Sequence, residues 1–242
     1  MYQVKRAIIM AAGQGQRLRP ISLKVPKPLI PVNGVPMIVT AIEALRSYGI
    51  LEIYVVVGYL KDQFQFLEAD YPGLRLIENP YYDSCNNISS LYVARDHLED
   101  VMILDGDQII FDPKVLSPEF ERSGYNAVPT YTETHEWLLT LQDGIVTGCR
   151  RGGTGGYQLY SVSRWTAEDG RKLRAHLELE FVKKQNQTIY WDDIPLFCHP
   201  EDYRLGIREM GPSDIVEVDS LQELALLDPS YEIYLGGSAH ET

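Results

Sequence analysis

Residues that could bind an anion stand together near the start of the chain. The apolar run from Ala7 to Ala12 ends at Gly13, and Gly15 and Arg17 follow directly. A short apolar run that ends in glycine is typical of a buried strand leading into a turn. Glycines let the backbone approach a ligand closely, and free amides in such a turn suit phosphate oxygens. The stretch therefore predicts a phosphate-binding loop after a buried strand.

A second cation, Lys27, follows in a proline-rich segment and can reach the same anion as Arg17. Four prolines interrupt this segment, so it is not a regular helix start: Pro20, Pro26, Pro28 and Pro31. The turn lacks the third glycine of a dinucleotide fingerprint, and the GK[ST] ending of a P-loop is also absent. The segment therefore differs from both of these phosphate-binding loops.

The motif Ala11-Ala12-Gly13-x-Gly15-x-Arg17-Leu18, followed by Pro26-Lys27-Pro28-Leu29, resembles the signature of the nucleoside triphosphate:sugar-phosphate nucleotidyltransferases. The resemblance implies that the phosphate of an acceptor attacks the α-phosphate of a nucleoside triphosphate and that pyrophosphate leaves. It implies catalytic roles for two cations: Arg17 would hold the leaving phosphates, and Lys27 would stabilise the α-phosphate. The alternative interpretation is a glycine turn with two solvated cations.

A candidate magnesium site comes from carboxylates. Asp107 follows the apolar run Val101–Leu104, and Mg²⁺ usually binds one or two carboxylates together with substrate phosphates. The resemblance implies that Asp107 and Asp219 are the metal ligands, with Asp192 as the rival of Asp219. The alternatives are a turn carboxylate at Asp107 and a helix cap at Asp219.

The nucleotide-binding prediction rests on two segments. Backbone groups of the glycine turn would meet the base edge, and the family resemblance implies that polar side chains at the start of a later helix read the base. Those polar side chains could instead cap the helix. The predicted set is Ala11, Ala12, Gly13, Gly15, Asn86, Asn87, Ser89 and Asp105.

Two aromatic-acidic clusters, Thr134–Leu138 and Ile189–Asp193, indicate an acceptor pocket. Aromatic rings beside carboxylates can form a cage for a quaternary ammonium, through cation–π attraction of about 0.5–2 kcal/mol per ring. Taken singly, each ring could instead fill the core. The predicted acceptor-binding residues are Tyr131, Trp137, Tyr190 and Trp191 as walls, with Asp192 and Glu217 adding charge.

These clusters, together with Asn86-Asn87-x-x-Ser90-Leu91-Tyr92, make the chain similar to the bacterial CTP:phosphocholine cytidylyltransferases from about Lys5 to about Leu227. The similarity implies transfer of CMP from CTP to phosphocholine, giving CDP-choline and pyrophosphate with Mg²⁺ as cofactor. Other acceptors remain open: phosphoethanolamine, 2-aminoethylphosphonate or a sugar phosphate. A catalytically silent nucleotide-binding module is a further alternative.

Bulk composition limits the other classes of function. The chain has 242 residues and a net charge of −12, which argues against a nucleic-acid partner. Three scattered cysteines favour a reducing compartment. No apolar run approaches the ~18 residues of a membrane span, so we expect a cytoplasmic protein with no membrane partner. A homodimer is one possible assembly.

Alternating strand and helix patterns over about the first 110 residues predict an α/β fold, with a Rossmann-like mixed, mostly parallel sheet flanked by helices. Short strands separated by glycine turns follow, and they predict a small β-rich acceptor-binding lobe: Asn126–Tyr131, Trp137–Leu141, Ile145–Cys149 and Tyr157–Val162. We expect a single nucleotidyltransferase domain over 1–242, with a nucleotide-binding half at about 1–112 and an acceptor-binding half at about 113–230.

Overall fold

The computed structural model describes residues 1–235. Its strands are β1 (Tyr2–Gln3), β2 (Arg6–Ala11), β3 (Pro31–Val32), β4 (Val35–Pro36), β5 (Glu52–Val57), β6 (Leu74–Glu78), β7 (Val101–Asp105), β8 (Gln108–Ile110), β9 (Glu119–Phe120), β10 (Gly124–Gln142), β11 (Ile145–Trp165), β12 (Gly206–Glu209) and β13 (Ile215–Glu217). Its α-helices are α1 (Met37–Ser47), α2 (Gln65–Asp70), α3 (Ile88–Val93), α4 (Ala167–Leu177) and α5 (Leu221–Leu227). Residues 236–242 of the predicted domain lie outside this range.

A seven-stranded sheet forms the centre of the molecule, in the order β12-β10-β11-β7-β2-β5-β6. The neighbours β7, β2, β5 and β6 run parallel, and so do β10 and β12, whereas β11 is antiparallel to both of its neighbours. Short antiparallel pairs, including β8 with β13, lie beside it. The predicted mixed, mostly parallel sheet with flanking helices is confirmed.

The strand β2 is buried on both faces, which explains its continuous apolar sequence. Ala7 and Ile9 pack in the same core cluster as residues of α1, whereas Ile8 and Met10 pack with residues of α3 and α4. This alternation follows from the two-residue period of a strand. Helices on both faces therefore hold β2 in the middle of the sheet.

Register brings three strand ends to one edge of this sheet. Ala11 pairs with Val57, and Met10 pairs with Asp105. The loops that follow β2, β5 and β7 therefore leave the sheet side by side. Ligands of open parallel sheets bind beyond such carboxyl ends.

The β-rich region differs from its sequence-based prediction. It holds two long strands, β10 and β11, instead of four short ones, and they form a bent hairpin closed at Asp143-Gly144. Gly152, Gly153, Gly155 and Gly156, which we expected to separate strands, lie inside β11 with positive φ. Positive-φ glycines form bulges that turn a strand without ending it, and Leu138 pairs with both Arg150 and Gln158 as a result. The lobe is the folded-over tip of this hairpin.

No helix within residues 1–235 combines the length and the apolar composition that crossing a membrane would require.

Candidate active site

The glycine turn after β2 packs directly against the basic segment. Gly15 has a φ of 59°, and a Cβ atom built on it would lie 2.8 Å from the Cβ of Lys27. Only glycine accepts both this conformation and this approach. Leu18 is fully buried and anchors the far end of the turn. Backbone geometry thus brings the turn and Lys27 together.

Lys27 lies at the centre of an ionic cluster. Its Nζ atom is 2.5 Å from Oδ2 of Asp107 and 2.8 Å from Oδ1 of Asp219, and the Nη2 atom of Arg17 is also 2.8 Å from Oδ1 of Asp219. Burial lowers the pKa of Lys27. The charge of Asp107 and hydrogen bonds to both carboxylates raise it by a larger amount, so the pKa lies above its ordinary value. The ammonium therefore stays charged. The four residues that sequence reasoning predicted for catalysis and metal binding share one cleft.

Asp219 is not the N-cap of α5, because its neighbour Ser220 takes that position. Ser220 is the N-cap of α5, and its hydroxyl accepts a hydrogen bond from the backbone N–H of Glu223. The Glu223 side chain in turn accepts hydrogen bonds from the N–H groups of Asp219 and Ser220. The Asp219 carboxylate is consequently directed to Arg17 and Lys27.

Three carboxylates in this cleft fit a divalent cation. Asp107, Glu217 and Asp219 each bring an oxygen within 4.8 Å of the other two. The Oδ1 atom of Asp107 is buried and has no hydrogen-bond partner within residues 1–235. Oxygen donors of this kind are what Mg²⁺ prefers. Desolvation and the charges of Asp107 and Asp105 raise the pKa of Glu217 well above its usual range. A bound cation would offset this repulsion between carboxylates.

The first cavity, of about 380 Å³, opens beside this cluster. Its lining includes four of the eight predicted nucleotide-binding residues, both predicted catalytic residues and both predicted metal ligands: Ala11, Gly13, Gly15, Asn86, Arg17, Lys27, Asp107 and Asp219. Sequence reasoning missed the other lining residues, Met10, Gln16, Leu18 and Pro28. Three of these could have been predicted, because they stand next to Arg17 or Lys27 in the glycine turn and the proline-rich segment: Gln16, Leu18 and Pro28.

Two predicted nucleotide-binding residues, Ala12 and Ser89, line neither this cavity nor the second one described below. Ala12 is buried, and its carbonyl accepts a hydrogen bond from the N–H of Tyr59. Ser89 is buried too; its hydroxyl donates to the carbonyl of Asn86 and accepts from the side chain of Asn79. The Ala12 carbonyl and the Ser89 hydroxyl instead hold the β2 loop and the start of α3, so the prediction is corrected for both residues.

A second cavity, of about 280 Å³, shares Arg17 and Asp219 with the first. It is lined by residues of both halves of the chain: Arg17, Asn87, Asp105, Glu136, Trp137, Leu159, Ser161, Tyr190, Asp192, Glu217 and Asp219. Asn87 and Asp105, which we predicted on the nucleotide side, lie here instead. Asn86 and Asp107 line the first cavity, whereas Asn87 and Asp105 line the second. Residues this close in sequence can therefore face different cavities.

Carboxylates dominate the electrostatics of this second cavity. Burial, followed by the charges of Asp107 and Asp192, raises the pKa of Asp105 well above its usual range. Burial, reinforced by the charge of Asp193, raises the pKa of Asp192 to about 7. The Oδ1 atom of Asp192 is buried without a hydrogen-bond partner in the described part of the chain. Asp192, the rival metal ligand, is outside the three-carboxylate group and lies in the second cavity instead. The cavity can therefore accept a cation that donates hydrogen bonds.

Two aromatic rings line the same cavity. Trp137, from the β10–β11 hairpin, meets Tyr190 edge to face with ring centroids 5.7 Å apart, and it meets Phe197 at 5.5 Å. The guanidinium of Arg151 lies 4.7 Å from the centre of the Trp137 ring and forms an ion pair with Asp193. One cation of the protein thus already packs on Trp137. Sequence reasoning missed Arg151 and Phe197, because only the folded hairpin brings them to this tryptophan.

Two other predicted walls of the cage are placed elsewhere. Trp191 is 1% exposed and packs against Trp165 and Tyr125 in the core beneath the sheet. Tyr131 is 84% exposed on β10 and lines a different groove. Trp191 follows Tyr190 in a turn, so the two rings point to opposite sides. Of the four predicted walls, only Trp137 and Tyr190 line the second cavity, so the prediction is corrected for Tyr131 and Trp191.

Comparisons with known proteins agree with this architecture. A family model described as MobA-like NTP transferase domain matches residues 7–177. The 2-aminoethylphosphonate cytidylyltransferase of Lancefieldella rimae is 39% identical over 232 residues, which cover 95% of this chain and 94% of that protein. The choline-phosphate cytidylyltransferase of Streptococcus pneumoniae is 33% identical over 229 residues, which cover 92% of this chain and 96% of that protein.

Solved structures give the same result. The CTP:phosphocholine cytidylyltransferase from Streptococcus pneumoniae matches with a TM-score of 0.85 at 33% identity, over 94% of this chain and 99% of that one. The inositol-1-phosphate CTP transferase from T. maritima matches with a TM-score of 0.76 at 19% identity, over 99% of this chain and 100% of that one, and this likeness concerns the fold alone. The sheet, the glycine turn and these full-length matches lead to one conclusion: the chain belongs to the nucleotidyltransferase family, among relatives that are cytidylyltransferases.

Proposed function

We propose that this enzyme transfers CMP from CTP to a small acceptor that carries both a phosphonate or phosphate group and an ammonium group. The observation that supports this most directly is the pair of adjoining cavities that share Arg17 and Asp219. One cavity offers backbone and cations to a triphosphate, and the other offers carboxylates and rings to an ammonium. The acceptor's anionic group would then point toward the α-phosphate.

The chemistry needs charge screening more than proton transfer. An oxygen of the acceptor forms a bond to the α-phosphorus, the bond from that phosphorus to the bridging oxygen breaks, and pyrophosphate leaves with the electron pair. The acceptor oxygen is already anionic near neutral pH, so no general base is required. Two polyanions must approach each other, and preorganised cations lower the cost of that approach.

Each cation has a proposed role. Lys27, held by two carboxylates, would stabilise charge on the α-phosphate, and the more exposed Arg17 would hold the leaving phosphates. Asp107 and Asp219, with Glu217, would hold Mg²⁺, which when bound neutralises phosphate charge. Backbone groups of Ala11, Gly13 and Gly15 and the side chain of Asn86 would contact CTP.

The second cavity favours a primary ammonium, and 2-aminoethylphosphonate is our first candidate acceptor. A primary ammonium donates up to three hydrogen bonds, which carboxylate oxygens accept well. Besides Asp219 and Glu217, which would hold Mg²⁺, the cavity offers three carboxylate side chains, Asp105, Glu136 and Asp192, but only two rings. One of these rings already packs on Arg151. The relative from Lancefieldella rimae acts on this acceptor according to its name.

Phosphocholine is the second candidate, because a quaternary ammonium binds aromatic faces and needs no hydrogen-bond acceptor. Trp137 and Tyr190 at right angles offer two such surfaces.

We also propose a single domain with a divided role: about 1–112 would serve mainly CTP, and about 113–230 mainly the acceptor, with Asp219 serving both.

An acceptor panel tests the proposal. Pyrophosphate release and mass spectrometry of the product are measured with CTP or UTP, Mg²⁺ and each of 2-aminoethylphosphonate, phosphoethanolamine, phosphocholine and a sugar 1-phosphate. Ethylphosphonate, which lacks the ammonium, is the matched control. We expect kcat/KM to be highest for 2-aminoethylphosphonate with CTP and at least about tenfold lower for ethylphosphonate. Equal rates with and without the ammonium would refute the acceptor assignment, and no pyrophosphate with any acceptor would favour the silent module.

A further inference from the structure

Two histidines and a carboxylate meet at the end of α4, and none of them lines either cavity of the active site. The rings of His176 and His199 are stacked, with centroids 3.9 Å apart and planes 4° apart. The Oδ2 atom of Asp202 lies 3.5 Å from Nε2 of His176 and 3.7 Å from Nδ1 of His199. One oxygen therefore faces one nitrogen of each ring.

The other nitrogen of each ring lies at hydrogen-bond distance from a buried side chain. Nε2 of His199 lies 2.8 Å from Oε1 of Glu180, whose side chain is 1% exposed. An ionised carboxylate can only accept a hydrogen bond, so this nitrogen carries the hydrogen and Nδ1 of a neutral His199 has a free lone pair. Nδ1 of His176 lies 2.7 Å from the hydroxyl of Tyr203, which can accept its hydrogen and leave Nε2 available.

We propose that Nε2 of His176, Nδ1 of His199 and Oδ2 of Asp202 bind a transition-metal ion of the Zn²⁺ class. Two imidazoles and one carboxylate suit Zn²⁺, Co²⁺ or Ni²⁺ and not the hard ion Mg²⁺. Metal-bound histidines characteristically donate their second N–H to a carboxylate or another acceptor, as Glu180 and Tyr203 would accept here. Each of the three residues offers a ligand atom within 4.8 Å of those of the other two. Bonds of about 2.0–2.2 Å require the two stacked rings to tilt toward a common point and the half-exposed Asp202 side chain to rotate, so the proposal includes this closure on metal binding.

The ion would connect α4 to the segment that supplies Tyr190 and Asp192 to the second cavity. His176 belongs to α4, whereas His199 and Asp202 end the segment that carries Tyr190, Asp192 and Phe197. Asp202 is about half exposed, so water can complete the coordination. The proposed role is structural, and it does not depend on which acceptor the active site uses.

The test uses the untagged full-length chain after treatment with a chelator, titrated with Co²⁺ and followed by visible absorption. With millimolar Mg²⁺ present to occupy the carboxylates of the active site, we expect one Co²⁺ site whose spectrum is abolished by equimolar Zn²⁺. Asp202→Asn and His199→Asn should each lower the Co²⁺ affinity at least about tenfold. His135→Asn, which changes an exposed histidine of the hairpin, is the matched control and should bind as the parent does. Zn²⁺ should also raise the Tm of the parent and of His135→Asn, but not of Asp202→Asn.

This site and the active site can be separated in the same experiment. Asp107→Asn should lose turnover but keep the Co²⁺ spectrum, whereas Asp202→Asn should lose the spectrum and keep turnover at 25 °C. A spectrum unchanged in both Asp202→Asn and His199→Asn, or no Co²⁺ binding by the parent, would overturn the proposal and leave a packed histidine pair. If His199→Asn does not fold, Asp202→Asn alone decides, because its side chain is half exposed.

Discussion

The Nζ atom of Lys27 lies 2.5 Å from Oδ2 of Asp107, although eighty positions separate the two residues in sequence. The lysine comes from a proline-rich turn after β2, and the aspartate comes from the loop that follows β7. Parallel pairing of β2 with β7 brings these loops together. The other oxygen of Asp107 is buried and lacks a partner among residues 1–235. One carboxylate can thus hold the lysine and still offer an oxygen to a metal ion.

Replacing Asp107 by asparagine tests the metal role. The variant keeps the shape of the side chain and removes its charge, so we expect turnover to fall at least about a hundredfold, because transition-state charge loses its screening. Pyrophosphate release at saturating CTP and acceptor measures this, and circular dichroism checks the fold. Glu121→Gln, which neutralises an exposed carboxylate, is the control. More than a tenth of parental activity in Asp107→Asn would remove this residue from the mechanism.

Gly15→Ala tests the contact between the glycine turn and the lysine. A side chain at φ 59° is strained, and its Cβ would lie 2.8 Å from the Cβ of Lys27. We expect the free energy of unfolding to fall by about 1–3 kcal/mol and the KM for CTP to rise. At Gly13 a Cβ would have no atom within 4 Å, so Gly13→Ala is the stability control. Equal unfolding midpoints for the two variants would contradict the packing described here.

Trp137→Ala tests the aromatic wall of the second cavity. Loss of the ring should raise the acceptor KM by about tenfold and leave the KM for CTP within twofold, because the ring lines only the second cavity. Tyr131→Ala is the matched control, since this exposed ring lies on the same strand and outside the cavity. An acceptor KM that does not respond to Trp137→Ala would exclude the ring from acceptor binding.

Asp192 predicts a pH dependence of acceptor binding. Burial raises its pKa to about 7, so the carboxylate gains its charge as the pH rises through that value. An ammonium acceptor should therefore bind more tightly at pH 8 than at pH 6. The acceptor's own phosphoryl group titrates in a similar range, so the informative quantity is the ratio of the KM values of parent and Asp192→Asn. A ratio that stays constant from pH 6 to pH 8 would refute the contribution of Asp192.

The raised pKa of Asp192 also predicts that stability falls as the pH rises. Its folded-state pKa of about 7 exceeds its ordinary value of 3.8, so its contribution to stability is complete below pH 4 and is lost as the pH rises through 7. Asp192→Asn should consequently gain stability relative to the parent as the pH rises from 5 to 8. Thermal unfolding at the two pH values measures the difference. A Tm difference that is the same at both would indicate that Asp192 titrates normally.

The sequence by itself determined the parts of the site that depend on local pattern. A strand buried on both faces must be apolar throughout, and a turn that approaches a ligand needs glycine, so the run from Ala7 to Gly15 was interpretable without a structure. Asp107 follows a second buried strand, and the family resemblance implied the roles of Lys27 and Asp107. The alternation of strand and helix then predicted a mostly parallel sheet, and the structure confirms it.

Only the tertiary structure decided which side chain faces which cavity. Trp191 and Tyr190 are adjacent in one aromatic cluster, yet one fills the core and the other lines the second cavity. Positive-φ glycines bend β11 instead of ending it, and this bend brings Arg151 onto Trp137. Residue type records the chemistry a side chain can perform, whereas its direction depends on the backbone path and on contacts between residues far apart in sequence, which a linear pattern does not contain.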